Sequence, residues 1–147
     1  MHRRSSLIES KMAEEARNRV IETNQKLLNA IVSSDFLTYS SLCSEDLSCF
    51  EDETESHLVV GLSFHKVFFD LSSPTAEGVE PVTTVVTMSS PYVKFLDDSF
   101  TSAICCYTRF NQNVRSGECQ ISKCCETRIW KLDSVSGNYK CVHVHRS

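Results

Sequence analysis

The chain has 147 residues, 41% hydrophobic and 23% charged, with a formal net charge of −4. That length fits one compact domain and is too short for a protein kinase, a TIM barrel or a complete dinucleotide-binding enzyme. With 19 acidic residues against 15 basic ones, a nucleic-acid partner has no electrostatic support.

The first residues, Met1-His2-Arg3-Arg4-Ser5-Ser6, are basic but lack the apolar stretch of a secretory signal. No apolar run is long enough for a membrane span. The chain therefore reads as soluble, intracellular and cytoplasmic, with residues 1–12 a flexible basic tail and 13–147 the domain proper. From Lys11 to Val32 the pattern is helical: Ala13, Ala16, Val20, Leu27 and Ile31 recur at intervals of three, four or seven, without Gly or Pro. Ser33-Ser34-Asp35 supplies a stop and a new N-cap, and a short second helix follows with Phe36, Tyr39 and Cys43 on one side.

Leu47–Phe50 predicts a short strand, and Glu51-Asp52-Glu53-Thr54-Glu55 a solvated acidic turn. Leu58–Leu71 predicts a third, largely apolar helix with Leu58, Leu62, His65 and Phe69 on one face, so that His65 points inward. Ser72-Ser73-Pro74 and Glu77-Gly78 end it in a polar loop. Beyond Pro81 the period becomes two: Val82–Met88, Tyr92–Leu96, Phe100–Gln112, Gln120–Leu132 and Lys140–His145 predict strands, punctuated by Asp97-Asp98, Ser116-Gly117 and Ser136-Gly137-Asn138. Helices first and a strand meander afterwards is the α+β pattern.

The eight cysteines include no Cys-x-x-Cys pair, and neighbours on a strand point to opposite faces. Reduced, buried, structural thiols are expected, with no metal and no cofactor. Cys141, His143 and His145 lack a convincing fourth ligand for zinc.

Strand alternation places Ala103, Cys105, Tyr107 and Arg109 on one face of their strand. Cys124, Glu126, Arg128 and Trp130 share a face of the next, and Val142, Val144 and Arg146 of the last. The opposite set is Ile104, Cys106, Phe110, Cys125, Ile129, Cys141, His143 and His145. Neither set is polar enough for a wet face, so the helices should cover one and a partner subunit the other.

Several segments resemble the association (hub) domain of calcium/calmodulin-dependent protein kinase II. They are Leu28-Asn29-Ala30-Ile31, Asp35-Phe36, Tyr39, Cys43, Phe50-Glu51 and Gly61-Leu62-Ser63-Phe64-His65-Lys66-Val67-Phe68-Phe69. Near the C-terminus Glu126-Thr127-Arg128-Ile129-Trp130 and Val142-His143-Val144-His145-Arg146-Ser147 continue the likeness, which runs in order over about Arg17 to Ser147. The resemblance implies a cone of the nuclear-transport-factor-2 type, a curved antiparallel sheet around a long helix. It also implies a homo-oligomeric ring of about a dozen or more subunits that gathers kinase domains and raises their effective concentration. Departures are Asp52 after Phe50-Glu51, a longer final hairpin over Asp133–Asn138, and Cys125 in place of a Glu.

No kinase motif is present in these residues, so the expectation is a non-catalytic assembly module. The resemblance further implies a ligand-binding cleft formed by His65, Arg109, Arg128 and Arg146, with Tyr107 and Glu126 accessory, for small carboxylates or a regulatory segment. Three inward guanidiniums need anions to offset their repulsion, and Glu126 can serve only one or two of them. The alternatives are a small cone-fold isomerase or hydratase, a carboxylate-binding protein, or an adaptor acting through the acidic loop. Glu126 paired with Arg128 would make a poor base.

Overall fold

The computed structural model describes residues 2–71, 78 and 80–147, with side chains from Ser6 onward. The polar loop expected at Ser72-Ser73-Pro74 and Glu77 lies outside the described residues, as does the Arg3 side chain. In chain order the elements are α1 (His2–Val32), α2 (Phe36–Ser41), β1 (Cys43–Phe50), a 3-10 turn (Asp52–Thr54), β2 (Val59–Val60), α3 (Leu62–Leu71), β3 (Thr83–Phe95), β4 (Ser102–Arg115), β5 (Glu118–Leu132) and β6 (Tyr139–Arg146). One six-stranded sheet has the order β2-β1-β6-β5-β4-β3. It is antiparallel except between β1 and β6, which run parallel and are linked only through the long connection that includes α3 and strands β3 to β5.

Helix α1 starts at His2, so the residues read as a flexible tail form its first turns. Leu7, Ile8 and Met12 are exposed there, and burial begins at Ala16. From that point Ala16, Val20, Asn24, Leu27 and Leu28 form an inward stripe, the spacing that places side chains on one helix face. The helix is held to the sheet by a buried hydrogen bond from Trp130 Nε1 to Asn24 Oδ1 at 3.1 Å. A second tie runs from Gln25 Nε2 to the Val86 carbonyl at 3.2 Å. Ser34 breaks the helix with a φ of 56°, and the Asp35 side chain accepts from the Thr38 amide at 3.0 Å to start α2.

Residue Leu58 and its neighbours do not extend α3, which begins only at Leu62; Val59–Val60 pairs with β1 instead. Gly61, at φ 105°, makes the turn between the two, and its amide donates to the Leu47 carbonyl at 2.8 Å. β3 is one strand rather than two. A register shift between Ser89 and Tyr92 absorbs Pro91, which an edge strand tolerates because its missing N–H faces no partner.

A second bulge corrects the expected facing of β6. Ile129 pairs with His143 but Trp130 with Cys141, so Val142 is an extra residue. The alternation slips by one there. Cys141 points inward and is buried with Val144, while Val142 leaves the inner face. The core gathers on the concave side around Val20, Leu27, Leu28, Tyr39, Leu47, Ala103, Cys105, Trp130 and Cys141.

The thiols divide more than expected. Cys43, Cys49, Cys105 and Cys141 are buried, but Cys106 and Cys124 are half-buried and Cys119 and Cys125 are exposed; all eight are free. On the outer side Ile104, Cys106, Phe110 and Ile129 are half-covered within one chain.

The Asn24–Trp130 contact sets a stability prediction. Trp130→Ala should cost ~3–5 kcal/mol through loss of packing. Asn24→Ala, which orphans a buried indole N–H, should cost ~1–3 kcal/mol. Urea unfolding at fixed protomer concentration measures both, and an Asn24→Ala variant as stable as the parent would show that the bond contributes nothing.

Candidate functional site

The inner face of β4 and β5 carries polar side chains deep in an apolar cone. Tyr107, Arg109, Glu126 and Arg128 are all buried, with Arg128 only 1% exposed. Strand pairing sets Tyr107 opposite Glu126, and two-residue spacing puts Arg109 and Arg128 on the same face.

Glu126 is the hub of this cluster. Its Oε2 accepts from Tyr107 Oη at 2.5 Å and from Arg128 Nε at 3.1 Å; its Oε1 accepts from Arg109 Nη1 at 3.0 Å. Arg128 Nε also reaches Tyr107 Oη at 3.1 Å, and Arg109 Nε donates to Asn111 Oδ1 at 2.9 Å. Burial alone would raise the Glu126 pKa, but the Arg128 and Arg109 guanidiniums and the Tyr107 hydroxyl hold it at about 2. Burial also pushes the Tyr107 hydroxyl up, and with it the group stays protonated as a donor.

A second set lies beside the first. Arg146 at the end of β6 is paired with Glu53 and lies 3.9 Å from Glu51 Oε1. His65 Nε2 faces Glu51 Oε2 at 3.5 Å, and the imidazole stacks among Tyr39 and Phe64. Burial works against ionised Glu51, but His65 and Arg146 outweigh it and lower its pKa. The acidic turn is therefore not merely solvated: Glu51 and Glu53 fold against the cleft and offset Arg146.

Ile31, Tyr39, Glu51, Glu53, His65, Phe68, Phe69, Arg109 and Arg146 line a cavity of about 190 Å³. Of the four cleft residues expected from sequence, His65, Arg109 and Arg146 line it. Arg128 does not, being sealed beneath with Glu126 and Tyr107. Glu51, Glu53 and Tyr39 were missed. The signal available for the two carboxylates was charge: three inward arginines and one inward Glu left at least one guanidinium without an anion.

His143 and His145 lie away from this cavity. His143 Nδ1 is 2.8 Å from Ser48 Oγ, and both rings pack near Phe50. Burial lowers the His143 pKa.

A long helix in a curved sheet, with polar groups sunk inside the cone, defines a nuclear-transport-factor-2-like protein. A Salmonella enterica protein of that superfamily superposes with a TM-score of 0.70 at 18% identity, covering 92% of each chain, which speaks to fold alone. The family is settled by closer matches. The calcium/calmodulin dependent protein kinase II association domain matches residues 16–147, and the chain belongs to that family.

The hub homology domain of Chlamydomonas reinhardtii superposes with a TM-score of 0.80 at 35% identity, over 90% of this chain and 97% of that one. The association domain of Caenorhabditis elegans gives 0.77 at 31% identity, over 95% and 98%. The calcium/calmodulin-dependent protein kinase type II of Caenorhabditis briggsae is 32% identical over 145 residues, which is 97% of this chain but 25% of that protein. The chain thus spans about a quarter of that curated relative. An association domain is an oligomerisation module, and among the described residues no helix is long and apolar enough to cross a membrane.

Because Glu126 has a folded pKa near 2 against an ordinary value of 4.5, it stabilises the fold above pH 4.5. That contribution, roughly 3 kcal/mol, should be lost as pH falls from about 4.5 towards 2. Glu126→Gln should lower stability at neutral pH by ~3–5 kcal/mol, since two guanidiniums lose their carboxylate, and should flatten that part of the acid slope. Urea midpoints across the acid range measure both, and an unchanged slope in the variant would refute the assignment.

Proposed function

We propose that this chain works as a homo-oligomeric assembly hub whose subunits associate through the outer face of the sheet, in a ring of about a dozen or more subunits. The carrying observation is that face: Ile104, Cys106, Phe110 and Ile129 lie half-covered on one chain, with exposed Lys94, Lys123 and Lys131 beside them, while Arg109, Glu126 and Arg128 are turned inward. Half-covered apolar side chains in the middle of a sheet face call for a partner, and a second copy presents the same surface. Kinase domains carried by related chains would thereby be held at high effective concentration in the cytoplasm.

The enzyme alternative is disfavoured by the site. A cone-fold isomerase needs an inward carboxylate whose pKa is raised to serve as a base. Glu126 is driven the other way, to about 2, by two guanidiniums.

The cavity supports a subsidiary role in binding small carboxylates, or the carboxylate of a regulatory segment. Arg109, Arg146 and His65 are among the residues that line it. Arg128 and Tyr107 act beneath it by holding Glu126, and Glu126 orients Arg109.

Light scattering after gel filtration should give a mass many times the 16.6 kDa of one chain at micromolar protein. Ile129→Glu on the outer face should reduce that mass while far-ultraviolet dichroism stays native. A monomeric parent would overturn the assembly reading. In calorimetric titrations with acetate and butyrate, Arg146→Ala should weaken binding about tenfold or more. Equal binding by parent and variant, or none by either, would make the cleft purely structural.

A further inference from the structure

Cys49 and Glu51 stand two residues apart where β1 runs out, so both side chains turn to the concave side. His65, on the first turn of α3, comes to the same point from across the cleft. One ligand atom from each of the three lies within 4.8 Å of the other two. We propose that Cys49, Glu51 and His65 form a three-ligand site for a zinc-class divalent cation at the inner wall of the cleft.

Ligand chemistry and geometry agree. Zinc takes thiolate sulfur at about 2.3 Å and imidazole nitrogen or carboxylate oxygen at about 2.0–2.2 Å, in a tetrahedron. Those lengths set ligand atoms roughly 3.3–3.6 Å apart. The present spacing, within 4.8 Å, closes to that by about 1.5 Å or less, shared between two side chains.

The imidazole is an independent observation pointing the same way. His65 is 5% exposed, and neither ring nitrogen makes a hydrogen bond within the described residues. Its Nε2 only faces Glu51 Oε2 at 3.5 Å. A buried imidazole left so is costly, and a cation on one nitrogen relieves it.

Charge balance is favourable. Coordination moves the Cys49 proton to solvent, so thiolate and Glu51 carboxylate together neutralise a dication. Of the guanidiniums facing the site, Arg109 is engaged by Glu126 and Arg146 by Glu53; Arg146 also approaches Glu51, but at its Oε1 and at 3.9 Å, while Oε2 is the oxygen that faces His65. Glu51 and His65 line the 190 Å³ cavity, with Cys49 buried behind them, and water or a small carboxylate from that cavity would complete a tetrahedral shell. The site uses one chain only and does not depend on the assembly reading. The cation would add to a fold already closed by its own core, so a chelator should strip the ion and leave folding intact.

Cobalt(II) titration of the full chain, freed of metal by chelator and kept reduced, tests this. The expected result is one equivalent per chain with tetrahedral d–d bands and a thiolate-to-cobalt charge-transfer band, both reversed by zinc. Cys49→Ala should abolish the charge-transfer band, and His65→Gln should weaken affinity about a hundredfold or more. Cys119→Ser and Cys125→Ser, which remove exposed thiols, should change neither. If Cys49→Ala folds poorly, Cys49→Val keeps the packing and must show the same loss. Absence of tetrahedral cobalt in the parent, or a charge-transfer band that survives loss of Cys49, would overturn the proposal.

Discussion

The constraint on which the structure turns is one carboxylate buried between two guanidiniums. Glu126 is 2% exposed and accepts from Arg128, Arg109 and Tyr107. Removing any of these ions from water is expensive, and the cluster is tolerable only because nearly every lone pair and N–H near its centre has a partner. That requirement fixes the register of β4 against β5: a slip of β5 by one residue would throw Glu126 and Arg128 onto the outer face and leave Tyr107 and Arg109 inside without them. The apolar shell of Trp130, Cys105, Cys141 and Leu47 then closes around a polar centre whose geometry is already set.

Much of this was legible in sequence because period-two alternation is a strong signal in long strands. It identified the inner sets on β4 and β5 residue by residue, including the pairing of Glu126 with Arg128. It failed on β6, where Val142 is bulged out and every position on its N-terminal side changes face. A bulge leaves no compositional mark when the flanking residues are Cys, Val and His, all acceptable on either side. The fold class came through because helices and strands are segregated along the chain. The parallel β1–β6 pair did not, since strand order across a long connection has no local signature.

The acidic turn shows a different limit. Five consecutive polar residues from Glu51 to Glu55 carry the signature of a solvated loop, and Asp52, Glu53 and Glu55 are indeed exposed. Glu51 and Glu53 are nevertheless drawn to Arg146, a partner more than ninety positions away for Glu53. Local pattern cannot report a contact of that separation. Counting inward charges could, because Arg146 would otherwise have faced the cavity with no anion near it.

The two faces of the sheet explain each other. Arg109, Glu126 and Arg128 are drawn inside the cone, and the outer face of the same strands carries Ile104, Cys106, Phe110 and Ile129 with Lys123 and Lys131 exposed around them. The buried ion cluster rigidifies the sheet that bears it. Deformation of β4 against β5 would break the Tyr107 and Arg109 contacts to Glu126 and the Arg128 contact to Tyr107 at once. On the proposed reading, in which this face meets identical copies at a fixed angle, the sheet has to keep its curvature, and an interior of directional hydrogen bonds holds curvature better than an interior of interchangeable apolar contacts.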